Sequence, residues 1–223
     1  MRRPRRERRQ GAPGTWRART LSEELARPLL VAVLGANGAG KSTWVRAHRD
    51  ELPVPFYDAD AIAQTLGDYN DPMAQATARA MVDAGVTRSV EGGESFGFES
   101  TYAGRSRPAM VAAAHAAGYR AEVVFLGTPA PAINKERVAA RVDAGTGHRV
   151  ADAEVERRWA ASQENLVATA HSFERMALID NSRGVVQTLV VFDADRVTLS
   201  TAPVPTWGIR LAERIAAARA ATR

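Results

Sequence analysis

There is no cysteine in the 223 residues, which excludes disulfides, thiolate metal sites and cysteine nucleophiles together. Only four histidines are present, scattered at His48, His115, His148 and His171, so zinc chemistry has almost no ligands to draw on. Lysine occurs twice, at Lys41 and Lys135, against 28 arginines. No apolar run approaches the roughly 18 uninterrupted residues a membrane span needs, and the arginine-bearing N-terminus lacks the apolar stretch of a secretory signal. The expectation is a soluble, cytoplasmic protein that engages no membrane. A hydrophobic content of 45% over this length suffices for one substantial core and one domain.

What charge there is sits unevenly. Residues 1–20 hold eight arginines (Arg2, Arg3, Arg5, Arg6, Arg8, Arg9, Arg17 and Arg19) against Glu7. They carry +7, so against the whole chain's +5 the other 203 residues sum to −2. Residues 1–27 therefore read as a basic, disordered arm, and 28–223 as a nearly neutral folded domain. Such an arm could touch nucleic acid, but it has no aromatic residue beyond Trp16 to stack on bases, so nucleic acid is not expected as a partner.

The domain opens with Leu29-Leu30-Val31-Ala32-Val33-Leu34, a continuous apolar run between Pro28 and Gly35 that reads as a strand buried on both faces of a parallel sheet. A helix follows from Lys41 to Glu51. Further strands are expected at 53–57, 95–98, 121–126, 176–179 and 185–192. Helices are expected from Ala61 through Leu66, about 72–91, 106–117, 133–144, 153–171 and 209–220. Strands alternating with helices of this length imply βαβ units, hence an α/β fold with a mostly parallel sheet and helices on both faces. Ligands of such sheets sit at the carboxyl ends of the strands.

The first strand end carries Gly35-Ala36-Asn37-Gly38-Ala39-Gly40-Lys41-Ser42-Thr43, which satisfies the pattern G-x-x-x-x-G-K-[ST] between a strand and a helix. Glycines let the loop curl so that backbone N–H groups face phosphate oxygens, and the following helix adds its positive end. Lys41 reaches the β- and γ-phosphates, and the Ser42 hydroxyl is placed to ligate a bridging Mg2+. ATP or GTP with Mg2+ is thus the implied cofactor. A phosphoryl acceptor must lose a proton, and carboxylates stand at two further strand ends: Asp60, with Asp58 competing, and Glu99. Either Asp58 or Asp60 could instead cap the helix expected near Ala61.

Four stretches, the phosphate loop, Asp58-Ala59-Asp60-Ala61-Ile62-Ala63, Phe98-Glu99-Ser100-Thr101 and Asp180-Asn181-Ser182, occur in the order and spacing of the zeta toxin family, which this chain resembles over roughly residues 29–182. The resemblance implies a P-loop kinase with a helical lid that phosphorylates the 3′-hydroxyl of the amino sugar in UDP-N-acetylglucosamine, and an antitoxin protein as a partner. It makes Asp60 the catalytic base and assigns Glu99 and Thr101 to substrate binding; a cap on the helix at Ser106 is the alternative for Thr101. Asn165 and Leu166 match an Asn-Leu pair expected to hold a helix against the core.

Arginines closing from a lid stabilise the charge of a transferring phosphoryl group. Arg137 and Arg141, four apart, share a helical face, while Arg149, Arg157 and Arg158 follow the break at Gly145-Thr146-Gly147. The family carries Gly-Gly-His where this chain has Gly145-Thr146-Gly147-His148, so Thr146 shifts the register. Arg141 and Arg158 are the catalytic candidates, with Arg137 as substitute. Asp180 and Asp193 qualify only weakly as a second magnesium-holding carboxylate. Three functions follow: a zeta-type kinase of a UDP-amino sugar; a kinase of another small hydroxyl compound such as a nucleoside or antibiotic; and a nucleotide-gated nucleic-acid-binding module using the arginine arm.

Overall fold

The computed structural model describes residues 27–67, 71–145, 147, 149–193 and 196–222. The arm at 1–26, together with Thr146 and His148 of the expected lid break, lies outside the described residues. Arg27, taken in the sequence as the end of the arm, is tied to the fold: its guanidinium donates to the carbonyls of Gly118 and Tyr119 and pairs with Glu174 at 2.7 Å.

In chain order the elements are β1 (Leu29–Leu34), α1 (Lys41–Ala47), β2 (Phe56–Tyr57), α2 (Ala59–Leu66), α3 (Pro72–Gly92), β3 (Phe96–Ser100), α4 (Ser106–Ala116), β4 (Arg120–Gly127), α5 (Pro131–Asp143), α6 (Asp152–Ala168), β5 (Arg175–Asp180), β6 (Gln187–Asp193), β7 (Arg196–Leu199) and α7 (Thr206–Ala220). They form one seven-stranded sheet ordered β2-β3-β1-β4-β5-β6-β7. The first five strands of that order run parallel; β6 and β7 close the far side antiparallel. The α/β expectation, with a mostly parallel sheet and helices on both faces, is what the chain adopts.

Several boundaries move. The helix expected from Ala61 begins at Ala59, because Asp58 caps it, accepting from the N–H groups of Asp60 and Ala61. Glu99 and Ser100, read as following the third strand, are its last two residues. The helix expected over 153–171 ends at Ala168 and gives way to a short 3-10 turn. The strand β7 was missed, since Arg196-Val197-Thr198-Leu199 is exposed along its whole length and leaves no run of buried residues to read.

The alternation of a strand divides the core in two. Leu30, Ala32 and Leu34 of β1 point to one face and join Val82 and Val86 of α3, Val111 of α4, Leu166 of α6, and Leu211 and Ile215 of α7. Leu29, Val31 and Val33 point to the other and join Trp44 and Val45 of α1, with Leu52 and Val54 from the loop after it. All six β1 residues are buried, Leu29 least completely at 8%. At about 1.5–3 kcal/mol for each large side chain removed from water, this central strand is the anchor of both layers. No helix among the described residues is long and apolar enough to cross a membrane.

Candidate functional site

Parallel registers bring the carboxyl ends of neighbouring strands together. Leu34 of β1 stands opposite Ser100 of β3 and Phe125 of β4, and Gly127 of β4 opposite Asp180 of β5. The residues just beyond, from Gly35 onward and at Thr101, Thr128 and Asn181, therefore converge on one edge, with the short β2 delivering Asp58 beside them.

Residues 35–40 form the loop between β1 and α1. Its carbonyls are held from outside. That of Ala36 accepts from Lys41 Nζ at 3.2 Å, that of Asn37 from Asn134 Nδ2 at 2.6 Å and that of Ala39 from Asn181 Nδ2 at 2.9 Å, while that of Gly38 faces the Arg137 guanidinium at 3.5 Å. Turning the carbonyls of Asn37, Gly38 and Ala39 outward lets N–H groups of a curled loop face an anion, while those of Gly35 and Ala39 donate to the carbonyls of Ser100 and Ala36. Gly35 and Gly40 are required by space and by backbone, with φ of 144° and 96°. A Cβ on Gly35 would strike the carbonyl oxygen of Leu126, and one on Gly40 the amide of Asn181. No side chain caps α1 at Gly40, so its first N–H groups also remain available.

Lys41 and Ser42 open α1, with Thr43 exposed behind them. Opposed residues of parallel strands share a face, so Glu99, opposite Val33, points to the α1 side. There the Ser42 hydroxyl donates to Glu99 Oε1 at 2.9 Å, while Glu99 Oε2 is buried without a hydrogen-bond partner among the described residues. Burial pushes the Glu99 carboxyl up, with Lys41 opposing and Asp58 adding to the rise. Burial likewise pulls the Lys41 ammonium below the lysine range, against the field of Glu99 and Asp60. Asp60 lies half-buried in the first turn of α2, and its carboxylate makes no hydrogen bond or ion pair among the described residues. Thr101 is half-buried on the loop after β3. It does not cap α4, whose N-cap is Arg105 with no side-chain cap bond.

The cationic side comes from α5 and α6. Arg158 donates to Asn37 Oδ1 at 3.0 Å and to Glu154 Oε1 at 2.6 Å. Arg141 is close enough to Lys41 for its charge to depress the lysine, as does that of Arg158. Arg137 has another task, bonding the carbonyls of Gly38 and Ser182 and so tying the phosphate loop to the loop after β5. Arg149 is exposed beyond α5, and Arg157 pairs with Glu154 on the exposed side of α6. Asn165 donates to the carbonyls of Tyr102 and Gly104, so it holds the loop after β3, while Leu166 is fully buried.

Asp180 is buried but accepts from the N–H and the hydroxyl of Ser182, making it a turn residue. Asp193 sits on β6, opposite Arg175 and Arg196. The support Asn134 escaped the sequence reading of the site, whereas Asn181 was singled out there within Asp180-Asn181-Ser182 but given no role. Asn181 had a signal, its place directly after a strand; Asn134, in the first turn of α5, had none.

Over residues 30–166 the sequence matches the family model of the AAA domain. Among solved structures, the chain is similar to one from the complex of AvrRxo1-ORF1 and ORF2 with ATP, at 14% identity and a TM-score of 0.57, covering 87% of this chain and 75% of that one. It is similar to one from the PezAT chromosomal toxin-antitoxin system of Streptococcus pneumoniae, at 15% identity and 0.51, covering 91% and 88%. A chain of the Pnkp1/Rnl/Hen1 RNA repair complex aligns at 21% identity and 0.50, over 62% of this chain and 45% of that one. No curated protein matches. Such identities speak for the fold, which is P-loop kinase-like.

Proposed function

We propose that this chain, which belongs to the AAA domain family, is a small-molecule kinase that moves the terminal phosphoryl group of ATP or GTP to a hydroxyl. The observation that carries the reading is the opposition of charge about one phosphate loop. The carboxylates of Asp58, Asp60 and Glu99 lie toward β2 and β3, and the guanidinium groups of Arg141 and Arg158 reach in from α5 and α6. A donor-side nucleotide and an acceptor-side alcohol need that asymmetry.

Gly35 to Thr43 would cradle the β- and γ-phosphates, with Lys41 as the mobile cation. The unpartnered Glu99 oxygen beside the Ser42 hydroxyl makes an all-oxygen donor set suited to Mg2+; Ser42, with Glu99 directly or through water, would hold the ion. Held there, Mg2+ would supply positive charge to offset that of the phosphates. Asp60, with its carboxylate uncommitted, takes the proton of the acceptor hydroxyl. The acceptor oxygen bonds to phosphorus as the bond from phosphorus to the β–γ bridging oxygen breaks, leaving a phosphate ester and the nucleoside diphosphate. Arg141 and Arg158 stabilise the charge spread over the moving group.

For the acceptor, the zeta toxin resemblance and the likeness in fold to a chain of the PezAT system support a UDP-amino sugar such as UDP-N-acetylglucosamine, bound through Glu99 and Thr101. The same likeness supports an antitoxin protein as partner. Purified protein incubated with γ-labelled ATP or GTP and a panel of UDP-sugars, nucleosides and antibiotics, with mass analysis of products, tests both levels. A phosphorylated UDP-amino sugar is the expected product. Label on another alcohol would keep the kinase and replace the acceptor; absence of nucleotide binding would remove the whole reading.

A further inference from the structure

We propose that Glu154 is a positioning residue for phosphoryl transfer, holding the Arg158 guanidinium in place over the phosphate loop before any ligand arrives. The inference rests on the kinase reading above and adds a residue to it.

Glu154 lies in the first turn of α6, where its negative charge is favoured by the helix dipole. Both of its oxygens are engaged. Arg157 grips it with two bonds, Nε to Oε2 at 2.7 Å and NH2 to Oε1 at 2.8 Å. Arg158 donates its Nε to Oε1 at 2.6 Å. From that anchorage Arg158 NH1 reaches Asn37 Oδ1 at 3.0 Å, 121 residues away in the chain. Arg157 thus fixes Glu154, Glu154 fixes the stem of Arg158, and Arg158 meets the phosphate loop.

Pairs three and four apart on a helix surface ordinarily mean only helix support. Two features set this one apart. Its third member leaves the helix for the phosphate loop, and the bonds to Glu154 and Asn37 use only two of the five N–H groups of Arg158, so that NH2 has no partner among the described residues. A free arginine side chain samples many rotamers, and the cost of ordering it falls at the transition state unless something has met it beforehand. The two bonds meet it here, while leaving donors for phosphoryl oxygens. Burdened by both arginines, the Glu154 carboxyl is pulled down to about 2, so the clamp stays charged throughout the working pH range.

The test is a double-mutant cycle in the full chain, using wild type, Glu154→Ala, Arg158→Ala and the double variant. It measures hydrolysis or transfer of the γ-phosphate of Mg-ATP and the affinity for Mg-ADP with and without aluminium fluoride, a mimic of the moving phosphoryl group that needs no acceptor. Glu154→Ala is expected to lower kcat about tenfold and to weaken the tightening by aluminium fluoride equally, with the KM for ATP and the affinity for Mg-ADP alone within about twofold. In the Arg158→Ala background the second substitution should change nothing further, because its route of action is gone. Glu154→Gln, which keeps an acceptor oxygen for Arg158, should recover part of the loss. Full additivity, an unimpaired Glu154→Ala, or a loss matched by a large fall in melting temperature would each overturn the proposal. An unimpaired Arg158→Ala would overturn it too while leaving the kinase reading with Arg141. A wild-type chain that binds no Mg-ADP would instead reject the kinase reading, and this inference with it.

Discussion

Asp58 and Asp60 stand two residues apart and in different situations. Asp58 spends an oxygen on the N–H groups of Asp60 and Ala61, the work of a helix cap, whereas Asp60 carries no such bond. Asp58→Ala should therefore cost about 0.5–2 kcal/mol of stability, visible in thermal melting. Asp60→Asn should leave melting and nucleotide affinity unchanged while turnover falls roughly a hundred- to ten-thousandfold, as loss of a general base does. Full turnover in Asp60→Asn would pass the role of base to Asp58 or Glu99. At Lys41, substitution by Ala should abolish phosphoryl transfer with the fold intact, since among the described residues its ammonium hydrogen-bonds to the carbonyl of Ala36 alone; wild-type rates in that variant would refute the assignment of the loop.

The telling element is the loop from β3 into α4. Tyr102 adopts φ of 55°, a left-handed conformation that costs a bulky residue of order 1–3 kcal/mol. It is held there from α6 and the turn beyond it: Asn165 donates to its carbonyl, and its hydroxyl bonds Thr169 at 2.9 Å. Its backbone N–H donates to the Ser100 hydroxyl. The helix that carries Arg158 thus also sets the segment that carries Thr101. Burial raises the Tyr102 phenol to about 12, so between pH 10 and 12 the unfolded chain gives up this proton and the folded chain keeps it. Stability should fall through that window by about 1.4 kcal/mol per pH unit from this group. Tyr119, also raised by burial, falls in the same direction. Tyr102→Phe should lower the melting temperature at neutral pH and flatten the alkaline decline; an unchanged alkaline slope would show that Tyr102 does not titrate as its burial dictates.

For the whole molecule, ligand and fold are linked by mass action. Mg-ATP at a hundred times its dissociation constant should add about 2.7 kcal/mol of stability, a rise of several degrees in a chain of this size, and Lys41→Ala should largely erase it. A kinase working through Lys41, Asp60 and Arg158 should keep its melting temperature and turnover when residues 1–26 are removed. A fall in turnover after that deletion would favour the nucleic-acid module that uses the arginine arm.

Within the chain itself, local pattern determined the α/β class, the phosphate loop and the carboxylates that come near it. An apolar run followed by Gly35 to Ser42 has few physical solutions, because the backbone must curl and its N–H groups must face an anion. Only the tertiary structure decided which carboxylate caps a helix, that Glu99 lies under Ser42, that Asn134, Arg137 and Asn181 turn the loop's carbonyls outward, and that Arg158 touches Asn37. Those facts depend on strand order and on parallel register. A one-residue shift of β3 against β1 would send Glu99 to the opposite face of the sheet, and register is settled by the packing of both apolar faces at once, which no local stretch of sequence records.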